Sequence, residues 1–211
     1  MLFLEAFQQA ITCLGGGRAA ALHGRLMAAW QQPQRHYHTL QHLEECLTLA
    51  GQWAKDLRPD EQAKLIVALW FHDAVYDPQG SDNESLSAGM AREELSQLGM
   101  PPATVGAVAW LIESTDYSKT PGQPGNRLLD LLLDIDLGIL GARPQRYRKY
   151  AEQVGREYAF VGPQAYHEGR KKVLAHFVAL SKTPAGLYRT PEGRALAAQA
   201  QANLQAELES L

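Results

Sequence analysis

His72 and Asp73 stand side by side at the end of an apolar run, Ala63-Lys64-Leu65-Ile66-Val67-Ala68-Leu69-Trp70-Phe71. An imidazole and a carboxylate delivered together by a buried helix are costly unless something pairs with them. A second histidine cluster lies upstream in Arg35-His36-Tyr37-His38-Thr39-Leu40-Gln41-His42, and downstream Asp134 and Asp136 interrupt a run of leucine and isoleucine. Three separated segments that each set His or Asp in apolar surroundings point to one shared partner. A divalent cation suits this mixture of nitrogen and oxygen donors.

Each piece also has a structural reading. His42 on a helix face can be a core histidine bonded to a carbonyl, with His36 and His38 in a loop. His72-Asp73 can be a helix end with a capping carboxylate. Asp134 and Asp136 are two residues apart, so on a helix they point about 200° from each other and do not readily serve one site. One is therefore expected to be a ligand and the other a structural carboxylate. Cys13 and Cys46 read as small core residues.

The elements that must position these groups are helices. Apolar residues recur at helical spacing from Leu2 to Leu14, up to Gly15-Gly16-Gly17, and again from Arg18 to Trp30, before Pro33. Thr39 is an N-cap candidate for a helix whose stripe is Leu40, Leu43, Leu47 and Ala50, which sets His38 just outside and His42 one turn in. Pro59-Asp60-Glu61 opens a helix that ends near His72. Ser81 or Asp82 caps the next, through Leu98, and Pro101 to Ser114 forms another. Pro121-Gly122-Gln123-Pro124-Gly125-Asn126 reads as a loop. Leu128 to Leu140 is apolar on nearly every side, as in a central helix. Three amphipathic helices follow, about Pro144–Val161, Pro163–Lys182 and Pro191–Leu211. With no alternating strand pattern, the fold class is all-α, a bundle of roughly nine helices. The expected organisation is a single domain over 1–211, with a motif core at about 35–141 and C-terminal helices from about 144 packed on it.

Composition narrows the function. A formal net charge of −3 argues against broad nucleic-acid binding. No apolar run approaches the roughly 20 residues that span a bilayer, so no membrane role is expected. Met1-Leu2-Phe3-Leu4-Glu5 lacks the basic start of a signal peptide, and two cysteines without CxxC spacing suit a reducing cytoplasm.

Taken in order, with His-Asp thirty residues after His42 and the last Asp some sixty beyond, the pattern resembles the HD-domain superfamily of metal-dependent phosphohydrolases. The residues that carry the resemblance are Tyr37-His38-Thr39-Leu40-Gln41-His42, Phe71-His72-Asp73-Ala74-Val75-Tyr76-Asp77, Ser81 to Ala88, and Leu133-Asp134-Ile135-Asp136-Leu137-Gly138. Arg156-Glu157-Tyr158, Gly169-Arg170, Tyr188-Arg189-Thr190 and Ala202-Asn203-Leu204 extend it to a bacterial group of such proteins whose physiological substrate is not established. The resemblance implies an HD-like helical bundle with His42, His72, Asp73 and Asp136 as metal ligands. It selects Asp136 over Asp134, because the family's ligand is the second acid of its Asp-x-Asp. The Tyr-His-x-x-x-His segment is also similar to the cyclic nucleotide phosphodiesterases, where the histidine matching His38 protonates the leaving oxygen. His23, His36, His167 and His176 fall in no such motif, which favours one metal over two.

Two imidazoles and two carboxylates leave about two positions on an octahedral ion for water and a phosphate oxygen, and they suit Mn, Fe, Co, Ni or Zn better than Mg or Ca. Glu84 is a candidate to orient or deprotonate the water. Arg35 is a candidate for a substrate phosphate, and Asp77 for holding a ligand histidine in its tautomer. Arg170-Lys171-Lys172 reads as a solvated helix face. The expected activity is hydrolysis of a nucleotide or other small phosphate mono- or diester. The alternative is a non-catalytic HD-fold protein that binds a nucleotide or partner around a structural metal.

Overall fold

The computed structural model describes residues 3–117, 125–183 and 186–211. Met1 and Leu2 lie outside them, as do residues 121–124 of the loop expected before Asn126. Among the described residues the regular elements are all helical, with no strand: eleven α-helices and two 3-10 turns. No described helix is long and apolar enough to cross a membrane. The chain divides into two compact units, residues 1–132 and 133–211.

The first unit contains α1 (Leu4–Cys13), α2 (Ala20–Ala29), α3 (Leu40–Trp53), α4 (Pro59–Phe71), α5 (Asn83–Gln97) and α6 (Pro102–Glu113), and the start of α7 (Arg127–Asp136). Its centre is α4, which packs against α1, α3, α5 and α6. Val67, Ala68, Leu69, Trp70 and Phe71 are all fully buried. A helix apolar on every side is a core helix, so whatever follows Phe71 is delivered into the interior. The start of α4 is set by Pro59 at its first position and by Glu61, whose carboxylate accepts from Arg58 N–H at 3.1 Å.

Thr39 caps α3 as its sequence indicates, its hydroxyl accepting from Gln41 N–H at 3.3 Å. Gly99 ends α5 at φ +77°. Its N–H bonds Ser96 O, and Met100 N–H reaches back to Leu95 O at 3.1 Å. That double closure needs a left-handed residue, which glycine adopts without strain.

The second unit holds the end of α7, then α8 (Pro144–Glu157), α9 (Pro163–Ser181), α10 (Pro191–Arg194) and α11 (Ala197–Ser210). The helix expected over Leu128–Leu140 stops at Asp136 and tightens into a 3-10 turn, Leu137–Gly141. Gly138 lowers helix propensity there, and Leu196 presses so closely on Gly141 that any Cβ would overlap it. The expected helices at Pro144–Val161 and Pro191–Leu211 are likewise divided, the first ending in a 3-10 turn at Ala159–Val161 and the second into α10 and α11.

Arg170 departs from its expected place on a solvated face. It is 7% exposed and grips Glu207 through two nitrogens, at 2.7 and 3.0 Å. Lys171 and Lys172, beside it, are exposed. Burial alone would weaken the Arg170 cation, but the Tyr150 oxygen and the Glu207 carboxylate bonded to it outweigh that and hold its pKa above the ordinary arginine value. Burial, reinforced by Glu207, raises the Tyr147 hydroxyl well above its usual range, so it stays a donor to Glu207 at 2.6 Å.

Candidate metal centre

His72 is the C-cap of α4, its backbone N–H bonded to Ala68 O at 2.8 Å. It is 1% exposed, and its Nδ1 lies 2.8 Å from Leu69 O. A carbonyl only accepts, so in the neutral ring Nδ1 carries the proton and Nε2 keeps its lone pair. His42, on the first turn of α3 and 2% exposed, directs its Nε2 to within 3.2 Å of His72 Nε2. Tyr37 Oη sits 3.0 Å from the other nitrogen of His42. Asp73 Oδ2 lies 3.1 Å from His72 Nε2 and 3.7 Å from His42 Nε2.

Two ring nitrogens and a carboxylate oxygen thus converge on one point. With both rings protonated on Nδ1, His42 toward Tyr37 Oη and His72 toward Leu69 O, two lone pairs would face a negative charge in a poorly solvated place, and a cation between them would relieve the repulsion. The donor set therefore fits a metal ion. The backbone carbonyl at the back of His72 is the usual means of fixing a ligand imidazole.

Cys46 belongs to the same cluster. It lies one turn after His42 on α3, is 2% exposed, and its Sγ is 3.7 Å from His42 Nε2. Candidate ligand atoms of His42, Cys46 and His72 all lie within 4.8 Å of one another. Cys46 is the small core residue its type suggests, and it also lies beside the imidazoles. Its spacing of four from His42 was the available signal, since residues i and i+4 share a helix face. Cys13, read the same way, is exposed.

The surroundings hold this geometry. Trp30, at the end of α2, is fully buried with its ring centroid 5.5 Å from that of His72, and its indole N–H bonds Trp70 O at 3.0 Å. Ser87 of α5 docks the segment after Asp73: its hydroxyl donates to Val75 O at 3.2 Å and accepts from Val75 N–H at 3.1 Å.

Arg35 is 4% exposed, and its guanidinium donates to Asp73 O at 2.6 Å, Ala74 O at 2.9 Å and His38 O at 3.2 Å. The cation lies over Trp30 and Tyr76, 5.6 and 5.5 Å from their ring centres. The grip expected for a substrate phosphate is instead laid on the backbone of the His72-Asp73 turn and of the segment before α3. Arg35→Lys keeps the charge but not the planar fork. It should weaken metal binding about 10–100-fold by loosening Asp73 and cost about 2–4 kcal/mol of stability. Metal titration and denaturant unfolding of the variant check both.

The other expected residues fall into place unequally. His38 is half-buried, stacked on Tyr76 with ring centres 4.0 Å apart, and 6.0 Å from His42 centre to centre. Glu84 is half-buried in the first turn of α5, three residues before Ser87, which holds Val75. Asp77 is exposed, and its carboxylate accepts from Gln79 N–H at 2.9 Å. It serves the turn, which competes with the outer role expected for it at a ligand histidine.

Asp134 and Asp136 take different surroundings, as their spacing requires. Asp134 is 1% exposed, and its carboxylate accepts from Arg189 N–H at 2.9 Å, Thr190 N–H at 2.7 Å and the Thr190 hydroxyl at 2.6 Å. A Cβ at Gly193 would overlap that carboxylate, so glycine is what admits it. Burial and the Asp134 charge together raise the Tyr188 hydroxyl above its ordinary pKa. Asp134 is thus the structural carboxylate. Asp134→Asn turns an amide N–H toward backbone donors and should cost the protein about 2–4 kcal/mol. Denaturant unfolding in the presence of a chelator checks this without interference from metal. Asp136 is the half-buried last residue of α7.

Scans against protein-family models, curated proteins and solved structures returned no match.

Proposed function

We propose that this protein is a metal-dependent phosphohydrolase of the HD type, acting on a small phosphate ester, with nucleotides among the candidate substrates. The observation that carries the reading is the convergence of His42 Nε2, His72 Nε2 and Asp73 Oδ2, with half-buried His38 beside them. The proposed ligands are His42, His72, Asp73 and, from the resemblance and its place at the end of α7, Asp136. Asp73 is 16% exposed at its side chain while both histidines are nearly sealed. Solvent reaches the site at that edge, which a substrate needs.

Held by these residues, a divalent transition metal would supply Lewis acidity toward a phosphoryl oxygen and a water whose pKa is near neutrality. The chain supplies the rest. Leu69 O fixes the His72 ring, and Arg35 fixes the turn that presents Asp73. His38 donates a proton to the leaving oxygen, and Glu84 accepts one from the attacking water.

A panel of phosphate monoesters and diesters, offered to protein loaded with Mn, Fe, Co, Ni or Zn, tests the proposal. At least one ester class should be hydrolysed, with activity lost to a chelator and restored by metal. No hydrolysis by protein shown to hold stoichiometric metal would overturn it in favour of a binding protein with a structural ion.

A further inference from the structure

We infer that Tyr37 is a positioning residue for the metal centre: its hydroxyl lets His42 exchange one neutral tautomer for the other when the ion binds, while His72 stays fixed. The inference rests on the metal reading of His42 and His72 and not on hydrolysis.

The two imidazoles are backed by different chemistry. His72 Nδ1 lies 2.8 Å from Leu69 O, and a carbonyl only accepts, so that nitrogen keeps its proton with or without an ion. His42 Nδ1 lies 3.0 Å from Tyr37 Oη, and a phenol oxygen both donates and accepts. Tyr37 is 5% exposed, and its ring lies 4.8 Å, centre to centre, from those of both His42 and His38, which holds the hydroxyl in place. Cys46 Sγ, 3.6 and 3.7 Å from the two nitrogens of His42, packs on the ring face and caps neither.

The 3.2 Å between His42 Nε2 and His72 Nε2 then decides the metal-free tautomer. His72 Nε2 carries a lone pair, and the Asp73 carboxylate lies 3.1 Å from it. A second lone pair at that distance is repelled, whereas an N–H makes a hydrogen bond. Without an ion, His42 therefore holds its proton on Nε2, donating toward His72, and its Nδ1 accepts from the Tyr37 O–H. With the ion bound, both Nε2 lone pairs face it. The Nε2 proton of His42 passes to water, a proton from water arrives at Nδ1, and the Tyr37 hydroxyl turns about its C–O bond to accept from it. Tyr37 keeps its own proton, and His42 is neutral in both states. A carbonyl behind His42 would instead set two lone pairs against each other in the metal-free protein.

Nitrogen-15 NMR of histidine-labelled full-length protein tests this, because protonated, unprotonated and metal-bound ring nitrogens resonate apart. Spectra are taken at mildly alkaline pH, metal-free and then at saturating zinc, with each ring assigned through its backbone. Metal-free wild type should show His42 protonated on Nε2 and His72 on Nδ1. Zinc should move the His42 proton to Nδ1 and leave that of His72 where it was. Tyr37→Phe, which keeps the ring packing, should bind zinc about 10–100-fold more weakly, the usual effect of losing an outer partner, with helical content unchanged. His42 already protonated on Nδ1 in metal-free wild type would overturn the exchange, and this outcome needs no folded variant. Wild-type zinc affinity in folded Tyr37→Phe would overturn the positioning role. His42 resonances unmoved by saturating zinc would overturn the metal reading and this inference together.

Discussion

Asp73→Ala should leave the first unit folded but unable to hold its metal tightly, and hydrolysis should disappear with it. The Arg35 clamp acts on the backbone carbonyl of Asp73, which the substitution keeps. The side chain itself is 16% exposed, so its removal opens no deep cavity. What is lost is a carboxylate that lies 3.1 and 3.7 Å from the two imidazole nitrogens. Removing a direct ligand should weaken binding by more than the roughly 10–100-fold carried by outer partners. His72→Ala should do the same. Calorimetric metal titration checks affinity, and helical circular dichroism checks the fold. Wild-type affinity in either variant would show that the two residues do not hold the ion.

His38→Ala should lower kcat on a responsive phosphate ester by about 10²–10⁴-fold, the range of one acid–base group. That is roughly 3–5 kcal/mol of transition-state stabilisation. Metal content should not change, because His38 stands just before α3, and its ring packs on Tyr76 and Tyr37. Glu84→Gln should lower kcat by a similar factor, also with metal retained. Steady-state rates alongside elemental analysis separate the two effects. Unchanged turnover in both variants would remove these residues from the chemistry.

Much of the fold could be read from local signals. Proline at the first helical position marks the starts of α4, α8, α9 and α10. Thr39 signals α3, and the apolar run through Phe71 signals a buried helix that ends in His72-Asp73. The different surroundings of Asp134 and Asp136 follow from a spacing that helical geometry does not bring to one face.

What was hidden depends on partners distant in sequence. Arg35 looks like a phosphate grip until Asp73 and Ala74, almost forty residues on, present their carbonyls to it. Arg170 looks solvated beside Lys171 and Lys172 until Glu207 closes over it. The close approach of Leu196 to Gly141, in the 3-10 turn after Asp136, is in no window around Leu137. Cys46 was legible in principle. Its type suggested a core residue, which it is, and only the structure shows its sulfur against the His42 ring, 3.6 and 3.7 Å from the two nitrogens.

Elemental analysis of the purified protein tests the central claim most directly. Wild type dialysed after exposure to transition metals should retain about one ion per chain. A His42→Ala, His72→Ala double variant with wild-type helical content should retain almost none. Wild type that holds no metal, or a double variant that keeps a full equivalent, would contradict the account.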